Sequence, residues 1–386
     1  MRNFSTVLKT GWGIAAMAFA MHAIAADDSQ QTVIIGFAAP LSGNYAPAGK
    51  GMENAAQLAI DEANARRLKI NNKTIVFKLL PQDDRGDPRT AALIADYLVK
   101  SGVVGVIGHW NTSASIAASD IYHAAGIPQI APGSTGHAYT QTGYFNSFRI
   151  LGHDDEGSIY AANYAIQTLG AKRIAVIDDD TVFGRDLVNQ FVKALQRNGK
   201  DIVAREVVSS KTSDFNAALS NIKNQKNVDL IFFGGLGAQT AALARSMRRQ
   251  GMGAKLLTGG GTVGPIFLQL VGDDGDNTFG MSPRKDTEKM RGWKSFEKNY
   301  QAKFPGEIGF SAPFAYDATG VLIAAIKQAN SLEPAKIIAA LHTIKYPGLT
   351  TTISFDALGN LIDPIYTVYR AQQNKWVPVQ MFGKEQ

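Results

Sequence analysis

Short β-branched runs alternate with longer amphipathic segments along most of the chain, and nothing else in it limits the possible folds as much. Such alternation marks βα units, whose crossover helices impose a parallel sheet. The first series reads as strand 32–39, helix 49–67, strand 75–80, helix 88–100, strand 103–107, helix 112–124 and strand 128–131. Pro88 suits a first helical turn, where its missing N–H would have no partner anyway. The pattern restarts after Phe148-Arg149-Ile150: helix 154–169, strand 173–177, helix 183–197, strand 202–208, helix 214–225, strand 230–233, helix 238–250 and strand 255–258. Two series predict two lobes of an α/β protein, each doubly wound around a parallel-type central sheet.

The last third lacks strands for a third sheet. Helices are expected at 287–304, 313–330 and 334–341, a lone strand at 350–355, and a terminal hairpin from 366–370 and 376–379 around Gln372-Gln373-Asn374-Lys375. These pieces should add to the two lobes. The N-terminal lobe is then 27–149 plus 283–359, and the C-terminal lobe 150–282 plus 360–386. The chain crosses between them near Arg149, near Ser282 and over 360–364, and three crossings make a hinge.

Arg2 and Lys9 precede an uncharged run from Thr10 to Ala20, and Ala23-Ile24-Ala25-Ala26 stands just before Asp27. This reads as a secretory signal, 1–26, with an A-x-A cleavage site. As an uncleaved anchor the apolar run would fall short of the roughly 20 residues that a bilayer core needs. Cysteine is absent, so thiol catalysis, thiolate metal sites, disulfides and a lipidated N-terminal cysteine are all excluded. An exported protein without a lipid anchor is expected in a periplasm, retained by an outer membrane. Removing Arg2 and Lys9 takes the basic count from 39 to 37, against 33 acidic residues. Lys and Arg are dispersed, which argues against nucleic acid.

Turn residues gather after the strands of the first series: Ser42-Gly43-Asn44-Tyr45, Gly108-His109-Trp110-Asn111-Thr112-Ser113 and Pro132-Gly133-Ser134-Thr135-Gly136. Open α/β sheets bind ligands beyond the carboxyl ends of their strands. Thr112 and Ser113 open a helix, where hydroxyls and N–H groups can meet an anion; simple N-capping by Thr112 is the plainer alternative. Gly235-Leu236-Gly237 starts like a dinucleotide fingerprint, but Thr240 replaces its third glycine. Ser134 lies outside nucleophile-elbow spacing. No histidine pair has ligand spacing, so neither a metal nor another cofactor is expected. Arg85-Gly86-Asp87 reads as a chance tripeptide in a polar loop.

These loops resemble the periplasmic leucine/isoleucine/valine-binding family, type I solute-binding proteins of branched-chain amino acid ABC importers. The likeness runs from Val33-Ile34-Ile35-Gly36 and Ala39-Pro40-Leu41-Ser42-Gly43 to the final hairpin. Its further landmarks are Gln82-Asp83-Asp84, Asp87-Pro88, Val106-Ile107-Gly108-His109, Ala118-Ser119-Asp120-Ile121-Tyr122, Gly126-Ile127-Pro128 and Phe183-Gly184. The resemblance implies a ligand carboxylate held by Thr112, Ser113, Gly133, Ser134 and Thr135 and covered by Phe183. It places Ala48 at a side-chain contact of the family and Leu236 at a ligand-facing tyrosine, both toward a more apolar pocket, and puts Gly86 and Asn111 at the positions of a disulfide found in some members, where Asn111 adds a polar contact to the ligand. The loop around Gly260, Thr258-Gly259-Gly260-Gly261-Thr262, is expected to close over the ligand with Phe183, but it lacks the acid that often pairs with a ligand ammonium. A buried ammonium without a carboxylate costs several kcal/mol. Either Asp178, Asp179, Asp180 or Asp317 replaces that acid, or the ligand has no ammonium.

The expectation is a non-catalytic, monomeric binder that delivers a branched-chain or related amino acid to a membrane ABC permease. An aromatic or other organic carboxylate, or a small amide, is the alternative ligand. A sensory receptor module and a secreted hydrolase are the competing classes; the first requires a signalling membrane partner, the second product release.

Overall fold

The computed structural model describes residues 30–384, so the signal segment and its cleavage site lie outside the described residues. Two sheets organise the chain. The first contains six strands in the order β2-β3-β1-β4-β5-β6. These are β1 (Gln30–Ala39), β2 (Lys69–Ile70), β3 (Lys73–Asp83), β4 (Val106–Gly108), β5 (Gln129–Ala131) and β6 (Ser147–Arg149). Helices α1 (Ala46–Ala65), α2 (Pro88–Lys100) and α3 (Thr112–Ala124) connect them. Side chains on β1 alternate as a strand covered on both faces requires: Val33, Ile35 and Phe37 enter one apolar cluster, Ala38 and Ile34 another.

The second sheet has seven strands in the order β15-β14-β11-β10-β9-β7-β8. They are β7 (Ile174–Asp178), β8 (Ile202–Val207), β9 (Leu230–Gly234), β10 (Lys255–Gly259), β11 (Thr278–Ser282), β14 (Tyr366–Gln372) and β15 (Lys375–Phe382). Helices α4 (Asp154–Asn163), α5 (Val182–Arg197), α6 (Asn216–Lys223), α7 (Gly237–Arg249) and α8 (Pro265–Val271) pack around it. Its strands alternate as well, with Ile174, Val176, Leu230 and Phe232 facing one cluster and Ala175, Ile177, Ile231 and Phe233 the other.

The last third divides between these bodies. Helices α9 (Trp293–Lys303), α10 (Ala312–Ala329) and α11 (Pro334–Leu341) share the apolar cluster of β1 and α1. The terminal hairpin extends the second sheet antiparallel through Gln373 and Asn374, both in the left-handed region at φ 49° and 56°. The sheets are therefore mixed at their edges, with β2 also antiparallel to β3.

Several sequence expectations need correction. Residues 147–149, read as a boundary, pair with β5 as the sixth strand, and β11 and α8 were not anticipated. The helix expected over 287–304 starts only at Trp293, because Gly292 takes φ 80°. The helix expected over 154–169 turns into a π-helix at Tyr164. The lone strand over 350–355 shrinks to β13 (Thr352–Ile353), which pairs with β12 (Tyr346–Pro347).

Candidate functional site

In the first sheet β1 lies between β3 and β4, so the loops leaving β1 and β4 diverge to opposite faces; in the second sheet β7 and β9 do the same. A crevice opens at each such switch point. The two crevices face each other across one cavity of about 330 Å³.

From the side of the first sheet it is lined by Tyr45 and Ala48 after β1, Trp110 to Ser113 after β4, Gly133 and Thr135 after β5, and Leu151. The opposite wall consists of Thr181, Phe183, Leu236, Gly260 and Gly261, with Ile266 and Gln269 of α8. The loop between α9 and α10 adds Glu307, Phe310 and Ser311. Of the residues expected to bind, Asn111, Thr112, Ser113, Gly133, Thr135, Phe183, Leu236 and Gly260 meet here. Ser134 does not. Its hydroxyl is fully buried, 2.6 Å from that of Ser115, behind the loop.

The polar end is built around the start of α3. Asn111, not Thr112, is the N-cap, and it makes no side-chain capping bond because its amide donates to the Gly86 carbonyl at 2.8 Å. The first-turn N–H groups therefore keep the positive end of the helix dipole without a side-chain cap. Thr112 Oγ1 accepts from Gly136 N at 3.1 Å, which leaves its own hydrogen to donate. Arg149, at the end of β6 and fully buried, donates to the carbonyl oxygens of Ser134 and Gly136, each at 3.0 Å, and to Thr140 Oγ1 at 2.8 Å. Those bonds engage the Ser134 and Gly136 carbonyls and fix the loop from Gly133 to Gly136. The sequence marked Arg149 only as a boundary; a lone arginine carries no local signal of such a role.

Thr135 is engaged differently. Its hydroxyl donates to Asp154 Oδ2 at 3.1 Å and its carbonyl accepts from Asp154 N at 2.9 Å. Toward a ligand its side chain thus presents lone pairs rather than a hydrogen. Burial pushes the Asp154 carboxyl up to about 7, against the opposing effects of the Thr135 bond and the Arg149 charge.

The four acids considered as ammonium partners are engaged elsewhere, and none lines the cavity. Asp178 accepts from Arg205 at 2.9 Å, Asp179 from the Thr181 hydroxyl at 2.6 Å, and Asp180 from Arg185 at 2.6 Å. Asp317 holds Leu349 N and Thr350 N at 2.7 Å each, within the core around α10. Glu307 is the one carboxylate among the lining residues, and it is exposed. His109, placed by its loop in the candidate cleft, is instead fully buried, with Nδ1 2.6 Å from Asp84 Oδ2 and Nε2 3.3 Å from the Tyr122 hydroxyl.

The opposite wall carries no charge. Phe183 and Leu236 pack where a Cβ on Gly261 would stand 3.5 Å from the phenyl ring and 2.6 Å from Leu236 Cδ2. The glycines of this loop therefore let the apolar side chains close against the backbone.

Comparison with known proteins agrees with this architecture. The family profile for periplasmic binding proteins matches residues 32–375. A Leu/Ile/Val-binding protein homolog of Brucella abortus is 31% identical over 344 residues, covering 88% of this chain and 90% of its own length. The branched-chain amino acid transporter substrate-binding protein LivJ of Streptococcus pneumoniae, solved with isoleucine, superposes with a TM-score of 0.81 at 27% identity, over 92% of this chain and all of its own. A solute-binding protein of Rhodopseudomonas palustris, solved with 3,4-dihydroxy benzoic acid, shares the fold with a TM-score of 0.79 at 21% identity, over 91% of this chain and 97% of its own. The chain belongs to the periplasmic binding protein family, in the group that includes the Leu/Ile/Val-binding proteins and other substrate-binding proteins of ABC transporters.

Proposed function

We propose that this chain is the periplasmic solute-binding component of an ABC importer, a non-enzymatic monomer that captures a small carboxylate by closing two lobes about a hinge. The carrying observation is the α3 N-terminus without a side-chain cap, beside the free Thr112 hydrogen, opening into a cavity shared by both lobes. An anion there gains the helix dipole and charge-assisted hydrogen bonds without having to displace an internal partner.

The moving bodies are 27–149 plus 283–359 and 150–282 plus 360–386, joined at the three crossings. Ligand docks on Thr112, Ser113, Gly133 and the backbone N–H of Thr135, and Phe183, Leu236 and the loop at Gly260 then close over it. The Ala138 N–H donates across the cleft to Asp186 Oδ2 at 3.1 Å, a contact available only while the lobes are together. At the second crossing Arg284 lies between Phe310 and Tyr369, its guanidinium carbon 4.3 and 5.2 Å from the ring centroids.

A branched-chain or related amino acid is the ligand class that the relatives support. The alternative, a carboxylate without an ammonium, is favoured because the one carboxylate among the described lining residues, Glu307, is exposed. Small-angle scattering with a thermal-shift screen of amino acids and organic acids tests the proposal. A ligand that raises the melting temperature should also shrink the radius of gyration. Stabilisation with no compaction would overturn hinge capture, and no response to any anion would overturn the carboxylate site.

A further inference from the structure

Resting on the carboxylate site just described, we propose that Trp110 and Tyr45 make the cavity selective for an acid whose carboxylate is borne directly on a flat ring and that lacks an α-ammonium. The Trp110 indole lies on the polar end itself. A Cβ on Gly133 would stand 2.7 Å from Trp110 Cδ1 and 2.4 Å from its carbonyl oxygen, so ring and backbone touch with no side chain between them. Trp110 Nε1 donates to Ser311 Oγ at 3.2 Å, which fixes the plane of the indole. The Tyr45 ring continues the wall, its centroid 5.0 Å from that of Trp110 and its plane tilted by 39°. Phe183 faces them from the other lobe, and Ala48 on α1 leaves room between the two walls.

The first atoms beyond a bound carboxylate would therefore meet aromatic surface on the first lobe and a phenyl ring on the second. A planar ring fills such a slot, gaining stacking and apolar burial together. An α-amino acid puts a tetrahedral carbon and an ammonium there. Close to the polar end its ammonium finds lone pairs of Thr135 but no buried carboxylate, since Asp154 is held behind Thr135 and Glu307, the one lining carboxylate, is exposed. Leaving a cation so poorly paired in a closed cavity outweighs what an aliphatic side chain gains by burial. Burial, with a smaller effect from the charge of Asp179, pushes the Tyr45 phenol up to about 12, so it stays a neutral donor for a polar substituent on the ring.

Calorimetry with benzoate, L-phenylalanine and L-leucine separates the elements of this proposal. Benzoate carries the ring without the ammonium, leucine the ammonium without a ring, and phenylalanine both. Benzoate should bind at least roughly 10-fold more tightly than either amino acid. Trp110→Ala should weaken benzoate by roughly 10-fold or more while changing leucine by less than about 3-fold, and Trp110→Phe should lose less than the alanine variant. Unliganded melting curves confirm that the variants fold. Leucine binding more tightly than benzoate, or Trp110→Ala weakening both equally, overturns the ring-acid assignment and leaves the carboxylate site standing. Thr112→Val without effect on any probe, or no binding of any of the three, overturns both.

Discussion

The two walls of the cavity come from similarly wound sheets and do opposite work. The first lobe offers a helix end with no side-chain cap, a free hydroxyl hydrogen and a loop clamped by buried Arg149. The second offers Phe183, Leu236 and glycines. Both sheets end in βα loops at a switch point, so topology alone does not explain the difference. It arises at the helix starts. Thr181 caps α5 with a 2.9 Å bond to Gly184 N, and so uses its hydroxyl locally, whereas Asn111 is drawn off to Gly86 and leaves α3 open. On the proposed reading, anchoring and covering fall to different lobes, so that a ligand docks on one before the other closes.

The largest effect is expected at the anchor. Thr112→Val removes the free donor and strands the Gly136 N–H, a loss of about 3 kcal/mol, or roughly 100-fold in affinity by calorimetry. It should act mainly on docking and leave ligand-free scattering unchanged. Phe183→Ala, on the covering wall, should cost about 2 kcal/mol, or roughly 30-fold, from lost apolar burial. Stopped-flow measurements should show that loss in the off-rate, because the ring contributes only after closure. Equal losses in on-rate from both variants would end the division of labour.

Asp154→Asn, at the junction of the lobes, should have the smallest effect on affinity, less than about 3-fold. Its signature is in pH. Burial raises the folded carboxyl to about 7 from 3.8, so the folded protein holds a proton that the unfolded chain releases. That stabilisation is complete below the unfolded value and is lost as pH rises through about 7. Urea titrations should therefore show the wild type losing stability relative to the variant between pH 4 and about 7. Asp317, pushed up to about 6 by burial in the first lobe, titrates in both proteins and cancels in the difference. A difference that stays flat over this range would mean that Asp154 is ionised when folded.

Much of the fold is legible because apolar periodicity acts locally. Helices 88–100 and 112–124 end where the residues indicate, and the loops after β1, β4 and β5 do converge on one cavity. What escapes notice depends on partners remote in sequence. Thr278–Ser282 has little strand character of its own and is extended because β10 and β14 pair with it on either side. His109 sits in a loop that reads as exposed, yet Asp84, 25 residues earlier, draws it into the core. Glu307, Phe310 and Ser311 belong to an unremarkable loop until α10 packs on α1 and brings that loop to the cavity mouth.

Two βα series, their edge loops and the hydroxyls that those loops carry follow from backbone preferences and periodicity over a few residues. Which of those hydroxyls is free depends on packing between segments far apart in the chain. Thr112 keeps its hydrogen, Thr135 yields its own to Asp154 and Ser134 turns inward to Ser115, because a hydroxyl bonds to whatever the fold sets within about 3 Å of it.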